Sequence, residues 1–302
     1  MRLLRTPDDR FAGLPDFDLP PHYADVPDPD GGTVRMAYVR QGPEDGPVVL
    51  LLHGEPSWSF LYRHVMRVLA DAGLCAIAPD LVGFGRSDKP AEPDDHSYAR
   101  HVEWVRSLVF DALDLRDVTL VCQDWGGLIG LRLVAEHPDR FAGVVAANTG
   151  LPTGDVDMPA VWWRFRKAVD SAERLDIARF VQNGCRTRLA PGVLAAYDAP
   201  FPGEEYKAGP RAMPRLVPTR PDDPATEANR AAWQVLRKLD TPFLVAFSDG
   251  DPITGAMAPV LRAAIPGAAG RRHTTITGAG HFLQEDAGPA LGAAVAEFVR
   301  RG

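Results

Sequence analysis

Val118-Thr119-Leu120-Val121-Cys122-Gln123-Asp124-Trp125-Gly126-Gly127 is an aliphatic run that ends in polar residues, an aromatic and two glycines. From Gly126 to Glu136 apolar residues recur at helical spacing. A buried strand that enters a helix through so short a turn is expected to strain the backbone at its apex and to present the side chain there. Small residues around the apex let neighbouring backbones approach closely. The segment has the form of a nucleophile elbow, with Asp124 where a serine or cysteine would be more familiar. On its own an Asp in this place is as well explained as a helix cap, so the reading depends on what the rest of the chain brings to it.

Outward from the elbow, similar runs lie at 48–53 (VVLLLH), 75–80 (CAIAPD), 142–147 (AGVVAA), 243–248 (FLVAFS) and 273–277 (HTTIT). Segments of helical period at Phe60 to Ala72 and Tyr98 to Leu113 alternate with them. This alternation predicts a mostly parallel sheet flanked by crossover helices. Residues 33–40 are expected to add an antiparallel strand at the edge. The alternation breaks from about Pro152 to Trp233, a stretch rich in Arg, Pro and Trp with no convincing buried strand. It reads as an inserted helical cap over 152–233, with 1–151 and 234–302 forming the α/β core. There is no internal repeat and no low-complexity tract.

The 302 residues suffice for one large domain or a core with an insertion. Cys75, Cys122 and Cys185 are odd in number and widely spaced, which suits neither a disulfide framework nor a zinc site. No metal or organic cofactor is expected. The N-terminal MRLLRTPDDRF lacks an apolar stretch of signal-peptide length, and nowhere do about 18 uncharged apolar residues run together. A cytoplasmic protein independent of membranes is the expectation. The formal charge of −7 is spread along the chain with no basic stripe for phosphates, so nucleic acid is not an expected partner. A monomer is the favoured state.

The residue type at the apex fixes the class of chemistry. A serine attacking an sp3 carbon would leave an ether that is hard to hydrolyse, whereas a carboxylate leaves an ester whose carbonyl water can attack. A carboxylate, with a reference pKa of about 3.9, is ionised near neutrality and needs no base to activate it. Asp124 therefore points to alkylation followed by ester hydrolysis, leaving a histidine to activate water. Gly278-Ala279-Gly280-His281-Phe282 follows the last strand, where this fold needs its base, and His281 is that candidate. Ser248-Asp249-Gly250-Asp251-Pro252 ends the preceding strand; Asp251 lies deeper in the loop and is the candidate to orient the imidazole, while Asp249 suits a turn. His53-Gly54-Glu55-Pro56 ends the first long parallel strand, so the amides of Glu55 and Trp125 can form an oxyanion hole. His53 reads as a structural hydrogen-bonding residue, and Asn148 cannot serve as the acid.

HGEP at 53–56, DLVGFGRSDKP at 80–90, CQDWGG at 122–127 and GAGHF at 278–282 together resemble the haloalkane dehalogenases of the α/β-hydrolase fold, over nearly the whole chain. The resemblance implies hydrolysis of a halogenated hydrocarbon to an alcohol, a halide and a proton. It also implies that the departing halide is held by Trp125 and a second donor. HGEP points to the subgroup whose second donor is a cap tryptophan. Aligning the helix that leads to Arg174-Leu175-Asp176 selects Trp163, with Trp162 left to pack in the core.

Epoxide hydrolases carry similar elbows but need proton donors for the alkoxide, usually two cap tyrosines. Tyr197 and Tyr206 are the only tyrosines in this cap, and their late positions make them a weak pair. Fluoroacetate dehalogenase is less well matched, its elbow resembling DRG where this chain has Trp125. A luciferase-like oxygenase is a remote alternative. Outside enzymes, a ligand-binding module on a reused hydrolase fold is the other reading; an intact triad argues against it.

Overall fold

All six residues of Val118–Gln123 are buried, as a strand covered on both faces by crossover helices must be. The computed structural model describes residues 1–301. In chain order the strands of its main sheet are β1 Pro21–Pro27, β2 Thr33–Gln41, β3 Val48–Leu52, β4 Cys75–Pro79, β5 Val118–Gln123, β6 Phe141–Ala147, β7 Phe243–Ser248 and β8 Thr274–Ile276. They lie in the order β8-β7-β6-β5-β3-β4-β2-β1. Strands β3 to β8 are parallel, while β2 pairs antiparallel with both β4 and β1. The 33–40 run is thus one place in from the edge. The outer strand β1, PHYADVP, escapes the sequence pattern because only Val26 of its seven residues is fully buried and a proline stands at each end.

The helices are α1 Arg63–Asp71, α2 Tyr98–Arg106, α3 Trp125–Glu136, α4 Ala160–Ser171, α5 Ile177–Gly184, α6 Pro191–Asp198, α7 Ala208–Leu216, α8 Thr226–Leu236, α9 Met257–Ala264 and α10 Leu283–Arg301. Helix α1 packs on α10, and α3 on α2 and α8. Leu50, Leu51 and Leu52 of the central strand β3 are fully buried between these layers; truncating such a side chain to Ala costs about 2–5 kcal/mol. Local signals start two helices, since the side chains of Ser97 and Asp176 accept the backbone N–H of Arg100 and Arg179 at 3.2 and 2.9 Å.

The insertion between β6 and β7 is helical. Its expected end at 233 falls inside α8. Helix α8 packs on α3, Trp233 donates its indole N–H to Leu151 O at 2.8 Å, and Asn229 Nδ2 donates to Pro152 O at 2.8 Å. In α10 the first turn is set apart by a kink at Ala287, with φ of −149°. Pro289 has no N–H to offer the Glu285 carbonyl four residues earlier.

No described helix is long and apolar enough to cross a membrane. Among the described residues no cluster of three or more His, Cys, Asp or Glu could hold a metal ion.

Candidate active site

Asp124 sits between β5 and α3 with φ of 51° and ψ of −125°, a region that a non-glycine residue occupies only when its surroundings hold it there, at a cost of about 1–3 kcal/mol. Its N–H donates to Asn148 O at 3.0 Å, and its carbonyl accepts from Gly127 N–H at 2.9 Å and from Thr149 Oγ at 2.7 Å. The flanking glycines are steric requirements. A Cβ at Gly54 would collide with the Asp124 carboxylate, one at Gly126 with the Leu52 carbonyl, and one at Gly127 with Thr149.

The sheet brings the scattered candidates to its carboxyl edge. His281, after β8, turns Nε2 towards Asp124 Oδ2 at 3.5 Å and Nδ1 towards Asp251 Oδ1 at 3.1 Å. Asp251, after β7, is itself fixed by the N–H groups of Ile253 and Thr254 at 2.9 and 3.1 Å and by the Thr254 hydroxyl. Asp249 is turned elsewhere, accepting Gly278 N–H at 3.0 Å and lying 3.5 Å from Arg186. Asp124 Oδ1 accepts the Glu55 N–H at 2.8 Å. Trp125 opens α3, so its N–H has no intrahelical acceptor. His53 is fully buried and structural in its bonding: Nε2 accepts Leu81 N–H at 2.9 Å and Nδ1 lies 2.9 Å from Gly54 O.

Charges follow from this arrangement. Burial pushes the His281 imidazole down, but Asp251 and Asp124 on its two sides outweigh burial and lift it to about 10. Burial pushes the Asp251 carboxyl up, and His281 together with Thr254 and Ile253 reverses this and holds it at about 2. Both shifts run in the direction that favours an imidazolium beside a carboxylate. Burial, reinforced by Asp124, pushes the Glu55 carboxyl well above the usual range and favours its protonated form, which keeps another negative charge away from Asp124.

The loop that carries His281 is held by residues the sequence did not single out. Asn148 Nδ2 donates to Gly280 O at 2.9 Å and to His281 O at 3.0 Å, while its Oδ1 accepts Ser248 N–H at 2.9 Å. The Gln123 amide faces both His281 Nε2 at 3.1 Å and His281 O at 3.3 Å. Asn148 follows β6 directly and Gln123 precedes Asp124, so position relative to the strand ends was the available signal.

The cap tryptophans differ from expectation. Trp163 is 43% exposed on the outer face of α4, whereas Trp162 is 5% exposed on the inner face with Val169. Buried indoles usually find an acceptor. Trp58, Trp104 and Trp233 do so, donating to Ala196 O, Asp28 Oδ2 and Leu151 O at 3.1, 3.1 and 2.8 Å. Among the described residues Trp125 and Trp162 are the buried tryptophans whose N–H has no protein acceptor, and neither nitrogen is sealed from solvent. Within the α4 pair the structure buries Trp162 and leaves Trp163 exposed. Tyr197 is fully buried and gives its hydroxyl proton to Glu285, which Arg63 also holds, through Nη2 at 2.8 Å. Tyr206 lies on the short helical turn Glu204–Tyr206.

Residues 47–288 match the family model of the alpha/beta hydrolase fold. The chain is 51% identical over 299 residues to a haloalkane dehalogenase of Psychrobacter cryohalolentis, covering 99% of this chain and 98% of that one. It is 52% identical over 291 residues to haloalkane dehalogenase 1 of Mycobacterium tuberculosis, covering 96% of each. The tetrameric structure of haloalkane dehalogenase DpaA from Paraglaciecola agarilytica superposes with a TM-score of 0.89 at 35% identity, covering 98% of this chain and 97% of that one.

Proposed function

The chain belongs to the haloalkane dehalogenases of the α/β-hydrolase fold, hydrolases acting on carbon–halide bonds, and from that premise we propose how its residues divide the reaction. Asp124 Oδ2 attacks the carbon that bears the halogen, and the halide departs with the bonding electron pair. The product of this step is a neutral alkyl ester on Asp124. Trp125 and an indole of α4 donate to the leaving halide. Of the α4 pair, Trp162 is the inward-facing donor, with Trp163, the residue indicated by family resemblance, as the alternative to be tested against it.

Ester formation removes one of the two negative charges that raise the proton affinity of His281, so the imidazole gives up its proton to solvent. His281, oriented by Asp251, then takes a proton from water as the water attacks the ester carbonyl. Negative charge develops on Oδ1, against the N–H groups of Glu55 and Trp125. The tetrahedral intermediate collapses, the imidazolium protonates the departing alkoxide, and the carboxylic acid left on Asp124, now holding an oxygen from water, passes its remaining proton to His281, which restores the starting carboxylate and imidazolium.

The observation that carries this reading is a carboxylate at the elbow apex with its two oxygens differently engaged, Oδ1 by the Glu55 amide and Oδ2 facing the imidazole. The epoxide hydrolase reading loses one of its two candidate proton donors, because the Tyr197 hydroxyl is already committed to Glu285. Bromide release from 1,2-dibromoethane, measured beside hydration of an epoxide, tests the assignment. Bromide release with no epoxide turnover is expected; the reverse result would replace it with the rival.

A further inference from the structure

Asp286, in the first turn of α10, lies outside the residues assigned to the chemistry, yet its carboxylate joins two parts of the molecule. Oδ2 accepts the N–H of Gly280, next to His281, and the N–H of Arg186 in the cap, both at 2.8 Å. Oδ1 accepts the N–H and the hydroxyl of Thr187, also in the cap, at 2.8 and 2.6 Å. All four acceptor sites of one ionised group are used, one by the loop of the base and three by the segment joining α5 to α6.

The same cap segment meets the active-site loops at two more points. Phe282 N–H donates to Gly184 O at 3.3 Å. A Cβ at Gly280 would collide with the Gly184 carbonyl, and one at Gly250 with the Arg186 guanidinium. The 184–187 segment therefore rests on the loop of the base and on the loop of Asp251. On its other side the Gly280 peptide is tied to the core, its carbonyl accepting from Asn148 Nδ2 at 2.9 Å and Ser248 Oγ at 2.8 Å. Asp286 ties this loop to the cap directly through its carboxylate, beside the longer and more exposed route from Arg186 through Asp249 to Gly278 N–H.

We propose that Asp286 is a positioning residue for ester hydrolysis, aligning the His281 loop with the seated cap so that the imidazole is set for water only while the cap is docked. The proposal rests on the reading of His281 as base. Alkylation does not use the base, so it is insensitive to this tie. Hydrolysis is sensitive to it, since displacing a catalytic group by about 1 Å can cost on the order of a hundredfold in rate.

The test is steady-state and single-turnover kinetics with 1,2-dibromoethane on Asp286→Asn and Thr187→Val, beside His281→Gln. In Asp286→Asn the amide NH2 faces N–H groups that the carboxylate oxygen had accepted. Its kcat should fall by about tenfold to a hundredfold with KM falling in proportion, leaving kcat/KM unchanged. Intact-protein mass spectrometry should show the alkyl-enzyme accumulating. Thr187→Val removes one donor on the cap side only and should give the same pattern more weakly; it carries the test if Asp286→Asn does not fold. A general structural defect would lower kcat and kcat/KM together with no adduct, and that result, or wild-type hydrolysis in both variants, overturns the proposal. If His281→Gln accumulates adduct while the other two do not, the base stands and the role of Asp286 falls. Steady turnover without adduct in His281→Gln removes the base itself and the proposal with it.

Discussion

Replacing Asp124 with Asn should stop turnover and also lower the proton affinity of His281. The two groups lie 3.5 Å apart, Nε2 to Oδ2. A pair of unit charges at that distance interacts by about 1 kcal/mol in a medium like water and by about 5 kcal/mol at an effective dielectric of about 20. The Asp124 side chain is 21% exposed, which puts the pair between these limits. At about 1.4 kcal/mol per factor of ten, the imidazole loses about one to three orders of magnitude in proton affinity. Alkylation has the same consequence, because the ester is neutral. An imidazole lifted to about 10 by two carboxylates thus loses one of them at the step where a neutral Nε2 is needed. Asparagine keeps the shape of the side chain and an oxygen for the Glu55 amide. The assay is an NMR titration of the His281 ring in wild type and Asp124→Asn, with bromide release measured on freshly made variant whose mass is verified, since deamidation restores the carboxylate. An unchanged His281 titration would refute the charge coupling, and full activity would remove Asp124 from the mechanism.

Trp162→Phe should slow alkylation by about 10² to 10³, the usual effect of deleting a donor to a developing charge, whereas Trp163→Phe should change it less than tenfold; a large loss confined to Trp163→Phe would restore the donor indicated by family resemblance. Tyr197→Phe leaves Glu285 short of one buried hydrogen bond, so Tm should drop in keeping with a loss of about 1–3 kcal/mol while bromide release stays within a few-fold of wild type. A normal Tm with lost dehalogenation would contradict this. Asp251 is held at about 2 against an ordinary 3.8. Its folded value being the lower, its contribution of about 2 kcal/mol is complete above pH 4 and disappears as pH falls through 2. The urea midpoint of wild type should therefore fall more steeply over that window than that of Asp251→Asn, and parallel curves would count against the buried ion pair.

The order of chemical groups along the chain was legible without coordinates, because hydrolase chemistry here is built at strand ends and strand ends are local events. Each short strand-like run that gives way to polar residues and glycines announces one, as at His53-Gly54-Glu55, at Asp124 ahead of Gly126, and at Gly280-His281. Local sequence also marked Gly126 and Gly127 as small residues beside the apex, while the approach of Leu52 and Thr149 that requires them is a tertiary fact. What the sequence did not carry was anything that depends on which face of an element meets which neighbour. Strand β1 was invisible because an edge strand with one fully buried residue has little hydrophobic pattern to show. The attachment of α8 to α3 and to Leu151, far away in the chain, has no local signal in the sequence. Trp162 and Trp163 are adjacent in sequence and chemically identical, and only the rotation of α4 buries one and exposes the other. Asp286 reads as an ordinary acidic residue in the first turn of a helix, favoured there by the helix dipole. Its four acceptor contacts come from Gly280, Arg186 and Thr187, two of which are about a hundred residues away, and the packing of cap on core alone brings them to one carboxylate.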